Sequence, residues 1–288
     1  MHPVAFAEQL GLPGLIDVHT HFLPPRVMAK VRAQFDSAGP LIGRPWPLHY
    51  RDEDEVLAET LRSYGVLRWT ALPYAHRPGM ADWLSDWAAS YAGRTPEALV
   101  CGTFYPEPDA SSYVAARITS VQVWKVHVQV GNFDVRDPLL DDVWGRLAEA
   151  GTPVVLHAGS GPVATPLTGP APVAELLERH PVLRLVIANA GAQEYAEFLA
   201  LAERFERVAL DTTMAFTDFF TEMGGAYPAE LLPRLRDLGL GGKVLLGSDF
   251  PNIPYEYGEQ LAALARLDLG DDWLRAVCHD NAVSLGLG

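Results

Sequence analysis

The chain has 288 residues, a hydrophobic content of 49% and two cysteines, so it can bury a substantial core and has no disulfide framework to lean on. Its formal charge is 22 − 36 = −14 with histidine neutral. Such a surface repels nucleic-acid phosphates and anionic lipid, which argues against nucleic-acid and membrane partners and for a small-molecule substrate. Residues 1–14 lack a basic segment followed by a long apolar run, and no stretch reaches the ~18 apolar residues of a membrane span. Cys101 and Cys278 are far apart and lack zinc-finger spacing. The expected compartment is the cytoplasm.

Short apolar, β-branched runs recur along the chain at 15–19, 67–72, 99–104, 121–128, 153–158, 184–189, 208–213 and 243–249. Segments with helical spacing lie between them, near 54–64, 81–91, 110–119, 139–150, 173–179, 194–205 and 229–238, and two more follow near 257–264 and 271–285. Eightfold strand–helix alternation is the pattern of a parallel barrel. A doubly wound open sheet is the competing fold. It usually carries a glycine-rich first turn, whereas the first strand here runs into His-Thr-His-Phe-Leu-Pro-Pro. The expectation is a single α/β domain over 1–288, a distorted (β/α)8 TIM barrel closed by C-terminal helices over 256–288. Segment 24–50, with prolines at 24, 25, 40, 45 and 47, reads as an irregular loop over the barrel mouth, where βα loops build active sites.

Chemistry-bearing residues gather at the expected strand ends. Asp17, His19 and His21 alternate along the first strand and so project to one side. His157 and Asp249 close two otherwise apolar runs. Unrelated loop histidines and a helix-capping aspartate are the plain alternative, but a barrel brings all these ends to one face, where three histidines and a carboxylate can share a metal. In the 121–128 strand, Lys125 and His127 share a face opposite Trp124 and Val126. Lys125 suits an anionic substrate group or a carbamate ligand, and His127 suits acid–base work or a substrate contact; charge balance and packing are the alternatives. Asp211 ends the 208–213 run and fits a substrate contact, a place behind the ligands, or a turn. Asn189 ends the 184–189 run but cannot shuttle protons. Tyr74, His76 and Arg77 follow the second strand, and Arg26, Arg44 and Trp46 lie in the first loop; each could line a pocket or simply sit on a loop. His49, His180 and His279 read as structural, and neither cysteine has an evident base beside it.

Taken together, IDVHTHFLPP at 16–25, WKVHVQVG at 124–131, PVVLHAGSGP at 153–162, LDTT at 210–213 and VLLGSDFP at 244–251 resemble the amidohydrolase superfamily. The resemblance is strongest to the branch that contains aminocarboxymuconate-semialdehyde decarboxylase and related aromatic-acid decarboxylases and hydrolases, and the ending at Asn281 also matches. It implies metal ligands at His19, His21, His157 and Asp249, and one Zn2+ ion, with Mn2+ or Fe2+ as alternatives. It further implies a bound water acidified to roughly pKa 7 and oriented or deprotonated by Asp249. The implied reaction is hydrolysis or non-oxidative decarboxylation of a small carboxylated or cyclic compound. Where the family commonly places a histidine, this chain has Asn189, so His127 or Asp249 would take over proton transfer. A degenerate, non-catalytic binding barrel is the alternative, and a homodimer is compatible with the fold.

Overall fold

The computed structural model describes residues 1–288. Its strands are β1 (Leu15–Asp17), β2 (Val66–Thr70), β3 (Ala98–Leu99), β4 (Cys101–Thr103), β5 (Val123–His127), β6 (Val154–His157), β7 (Leu185–Ile187), β8 (Val208–Asp211) and β9 (Val244–Leu245). The chain divides into two compact units, one made of Met1–Thr70 with Asp211–Gly288 and one made of Ala71–Leu210.

In the continuous unit, β4 to β8 pair in parallel in chain order. The register sets Lys125 opposite Val155 and His127 opposite His157. Side chains alternate across β5 as its sequence requires: Trp124 is fully buried and meets Phe104, which meets Trp144 edge-on at 4.9 Å between centroids. The crossovers are amphipathic helices. In Asp141–Ala150 the buried positions are Val143, Trp144, Leu147 and Ala148, and Gly151 ends the helix in the left-handed region at φ 67°. The single strand expected over 99–104 is split into β3 and β4 at Val100, whose N–H is taken by the Gln122 side chain at 2.9 Å.

In the discontinuous unit, β1 pairs in parallel with β2, Leu15 opposite Val66 and Asp17 opposite Trp69. Segment 24–50, expected to be irregular, instead contains helices Pro25–Asp36 and Gly39–Ile42. Pro25 occupies a first-turn position that tolerates proline, and Met28, Val31 and Phe35 form the inward stripe, with Met28 buried. The C-terminal helices fall where expected, at Tyr257–Arg266 and from Asp271 to Ser284. Asn281 ties them down: its buried amide donates to the carbonyls of Gly239 and Val244, both at 2.8 Å. No helix is long and apolar enough to cross a membrane.

Both cysteines are buried and free. Burial pushes the Cys101 thiol up to about 12 and the Cys278 thiol further still, so neither forms thiolate near neutrality. A chromogenic disulfide reagent at pH 8 should therefore release nothing from the folded protein and two equivalents once denaturant is added. Rapid labelling of the native protein would contradict this packing.

Candidate metal centre and neighbouring groups

The strand-end segment 18–21 is held on both sides. Val18 N–H donates to the Leu246 carbonyl at 2.9 Å, Asp249 N–H to the His19 carbonyl at 2.8 Å, and His21 N–H to the Phe250 carbonyl at 2.7 Å. On the other side Thr20 N–H donates to Thr70 Oγ1 at 3.0 Å, and the Thr20 hydroxyl donates to the Thr70 carbonyl. His19 and His21 thus lie beyond β1, and pairing with 246–250 brings them together, in place of the strand alternation expected from sequence. Their rings meet edge-on at 5.1 Å. Asp249 also lies beyond its two-residue strand, at φ 72°, a left-handed conformation that costs a non-glycine residue energy and is typical of functional positions.

One local device turns the chain at three of these ends. Asp17 Oδ1 accepts from His19 N at 3.1 Å, Asp211 Oδ1 from Thr213 N at 3.0 Å, and Ser248 Oγ from Phe250 N at 3.0 Å. Each is a side chain capping the N–H two residues on, the usual competitor of strand continuation.

The ligand atoms of His19, His21 and Asp249 lie within 4.8 Å of one another. Asp249 Oδ1 stands 3.0 Å from His21 Nε2 and 3.7 Å from His19 Nε2. Ligands at roughly 2.0–2.2 Å around one tetrahedral ion are spaced by roughly 3.3 Å, so the donor set fits a divalent metal. His19 Nδ1 donates to Asp211 Oδ2 at 2.8 Å, which directs the Nε2 lone pair to the ligand group. Both Asp211 oxygens are therefore engaged in holding His19 and Thr213, and the carboxylate is fully buried. That geometry puts Asp211 behind the ligand His19, one of the places the sequence allows for it. Gly247 leaves the room this needs: a Cβ there would come within 2.3 Å of Thr213 Oγ1 and 2.9 Å of His19 Cβ.

Asp17 does not join the ligands. It is fully buried and accepts from Ser248 Oγ at 2.5 Å and Tyr257 O–H at 2.9 Å. Burial pushes its carboxyl up to about 7, and the hydrogen bonds from Ser248, His19 and Tyr257 only partly offset this. Tyr257 N–H in turn donates to Tyr50 Oη at 2.8 Å. Sequence reasoning missed Ser248, Tyr257 and Gly247; the Ser-Asp pair ending the 243–249 run was the available signal for Ser248.

In the continuous unit Lys125 is fully buried. His127 and His157, register partners on β5 and β6, stack with centroids 3.9 Å apart and planes 12° from parallel. His127 Nδ1 accepts from Val130 N–H at 3.3 Å, and His157 Nε2 donates to the Gly161 carbonyl at 3.2 Å. The Tyr74 ring stands 5.7 Å from that of His127, whereas His76 and Arg77 are exposed on the following loop. Asn189 and Ala190 are both left-handed, at φ 56° and 51°. Asparagine is among the few side chains that adopt this conformation readily, which gives the residue a backbone reason for its place. In the first loop Trp46 is only 8% exposed, donates Nε1–H to the Asn252 carbonyl and packs between Phe35 and Phe219. Arg44 pairs with Glu222 and covers the Phe219 ring at 4.2 Å.

No curated protein matches the sequence at a significant level. Among solved structures, an uncharacterised TIM-barrel protein from Bordetella bronchiseptica superposes with a TM-score of 0.73 at 16% identity, over 94% of this chain and 98% of that one. A 2,6-dihydroxybenzoate decarboxylase complexed with 2,6-dihydroxybenzoate gives 0.68 at 14% identity, over 95% and 98%. A 5-carboxyvanillate decarboxylase from Novosphingobium aromaticivorans, complexed with manganese and 4-hydroxy-3-methoxy-5-nitrobenzoic acid, gives 0.62 at 13% identity, over 94% and 95%. Identities this low carry the fold alone, and that fold is the (β/α)8 barrel expected from the strand count. A family model described as Amidohydrolase matches residues 16–285, which takes in every strand-end residue described above. The chain belongs to the amidohydrolase family.

Proposed function

We propose that this chain is a metal-dependent enzyme that hydrolyses a small carboxylated or cyclic compound. The observation that carries the reading is the set of three ligand atoms on His19, His21 and Asp249, with His19 braced from behind by Asp211. One divalent ion suits two imidazoles and a carboxylate, with zinc first and manganese or iron as alternatives. The manganese in the carboxyvanillate decarboxylase supports that range. When bound, the metal supplies Lewis acidity toward a substrate carbonyl and an acidified water. Asp249, whose side chain is 18% exposed, takes the proton of the attacking water. In the continuous unit, Lys125 is a fully buried amine on β5, and the Tyr74 ring stands beside His127.

Non-oxidative decarboxylation is the second reading, favoured by the likeness to two decarboxylases. It requires a proton to reach the carbon that loses carbon dioxide. Asn189 cannot deliver one, so that duty would fall on Asp249.

Protein purified without chelator should carry about one equivalent of transition metal by elemental analysis. A metal-free protein that refuses reconstitution would leave only a ligand-binding barrel. Asp211→Ala should weaken metal affinity about 10–100-fold in competition with a chromogenic chelator, because the outer partner orients the ligating ring. Unchanged affinity would remove Asp211 from this role. Asp249→Asn should keep much of the metal yet lose turnover in a screen of lactones, cyclic amides and dihydroxybenzoates. Turnover surviving intact in that variant would exclude Asp249 as the base.

A further inference from the structure

Within the discontinuous unit, the first loop is tied to the turn that carries Asp249. The chain folds back on itself between Asp249 and Asn252, and the Asn252 N–H donates to the Asp249 carbonyl at 2.8 Å. The carbonyl of the same asparagine accepts the Trp46 Nε1–H at 2.9 Å, and the next carbonyl, that of Ile253, accepts the His49 N–H at 2.9 Å. Asn252 is only 2% exposed. Losing the indole N–H therefore leaves a buried acceptor unpaired, which costs more than an exposed bond would.

Asp249 needs such support because its backbone stands at φ 72°. A non-glycine residue stays in the left-handed region only where its surroundings over-determine it. Three bonds do so at this turn: Asp249 N–H to the His19 carbonyl, Phe250 N–H to Ser248 Oγ, and Asn252 N–H to the Asp249 carbonyl. The third depends on where Asn252 stands, and Trp46 fixes that position. The indole is itself held. Phe35 packs against it at 5.0 Å between centroids, and Phe219 meets it edge-on at 5.0 Å. Arg44 lies over the Phe219 ring at 4.2 Å and donates to the Phe219 carbonyl at 3.2 Å.

We propose that Trp46 is a positioning residue for Asp249, acting through the Asn252 carbonyl. The first loop is then part of the support of a ligand some 200 positions away, and docking of the loop is coupled to the aim of the Asp249 carboxylate. The proposal rests on the metal-dependent reading above for the ligand role of Asp249. The coupling of Trp46 to the Asp249 turn stands independently of that reading.

Two variants of the full chain separate positioning from packing. Trp46→Phe keeps an aromatic ring but removes the N–H, whereas Phe35→Leu thins the packing against the same ring and leaves the N–H in place. The first readout is amide hydrogen exchange of the metal-free protein, followed residue by residue by NMR. In Trp46→Phe the Asn252 N–H should exchange about fivefold faster relative to the Val18 N–H, which serves as the reference outside the turn. The second readout is Co2+ binding in competition with a chromogenic chelator. Affinity should fall about fivefold in Trp46→Phe, and the visible bands of the bound Co2+ should shift. Phe35→Leu should lower Tm but leave the exchange ratio, the Co2+ affinity and the bands unchanged. Unchanged Asn252 exchange in Trp46→Phe, Co2+ bound identically by that variant and the parent, or matching losses in Phe35→Leu would each overturn the proposal. If the Asn252 exchange responds as stated but the parent protein binds no Co2+, the metal-dependent reading falls and the coupling of Trp46 to the Asp249 turn stands.

Discussion

The site of the discontinuous unit hangs on a backbone ladder between residues some 230 positions apart, 18–21 and 246–250. Each rung is an ordinary N–H to carbonyl bond, and none involves a ligand side chain. Yet these bonds put His19 and His21 beside Asp249, and the bonds from Thr20 to Thr70 keep the segment from sliding along its partner. Closing a long loop costs little more than closing a short one, because the entropy grows only with the logarithm of length. The ends of the chain can therefore meet cheaply, and the buried donors and acceptors of both segments demand that they do so.

Around that ladder the unit buries two carboxylates with opposite duties. Asp211 is compensated by a histidine and a backbone N–H, and it determines which nitrogen His19 offers. Asp17 is surrounded by Ser248, Tyr257 and the His19 N–H, and burial still raises its carboxyl to about 7. An acid so raised opposes folding in its charged form, and its opposition grows as pH rises from the ordinary carboxylate range toward 7. Carrying such a group at the foot of the ligand segment costs stability. What it supplies is a cap that bends the chain out of β1 and aims His19. The continuous unit has its own fully buried ionisable side chain in Lys125, on the strand that also carries His127.

Much of the architecture was legible because its signals are local. Strand–helix alternation, the apolar stripe of Asp141–Ala150 and the C-terminal helices all follow from periodicity that short-range sterics and burial impose. The helix Pro25–Asp36 was not, since five prolines in 24–50 masked a stripe at Met28, Val31 and Phe35 whose first proline merely starts the helix. The long run at 243–249 was also misleading: its apolar residues are buried, but only Val244–Leu245 form a strand. Beyond them the chain bends at Ser248 and turns left-handed at Asp249, for which hydrophobicity carries no signal. At Asn189 the sequence exposed a departure from the family, while its φ of 56° exposed a reason for asparagine there.

By itself the sequence determined the family, the alternation of elements and the residue types available at the strand ends, since these depend on pattern and composition read along the chain. Tertiary structure alone decided the use of each residue. Asp211 stands behind His19, Asp17 is withdrawn into a buried network, Trp46 packs a loop, and His127 and His157 stack with Nδ1 and Nε2 respectively tied to the backbone. The reason is that a ligand, a brace and a buried acid can share one residue type and one spacing. They differ only in which partner, tens or hundreds of residues away, meets each oxygen or nitrogen.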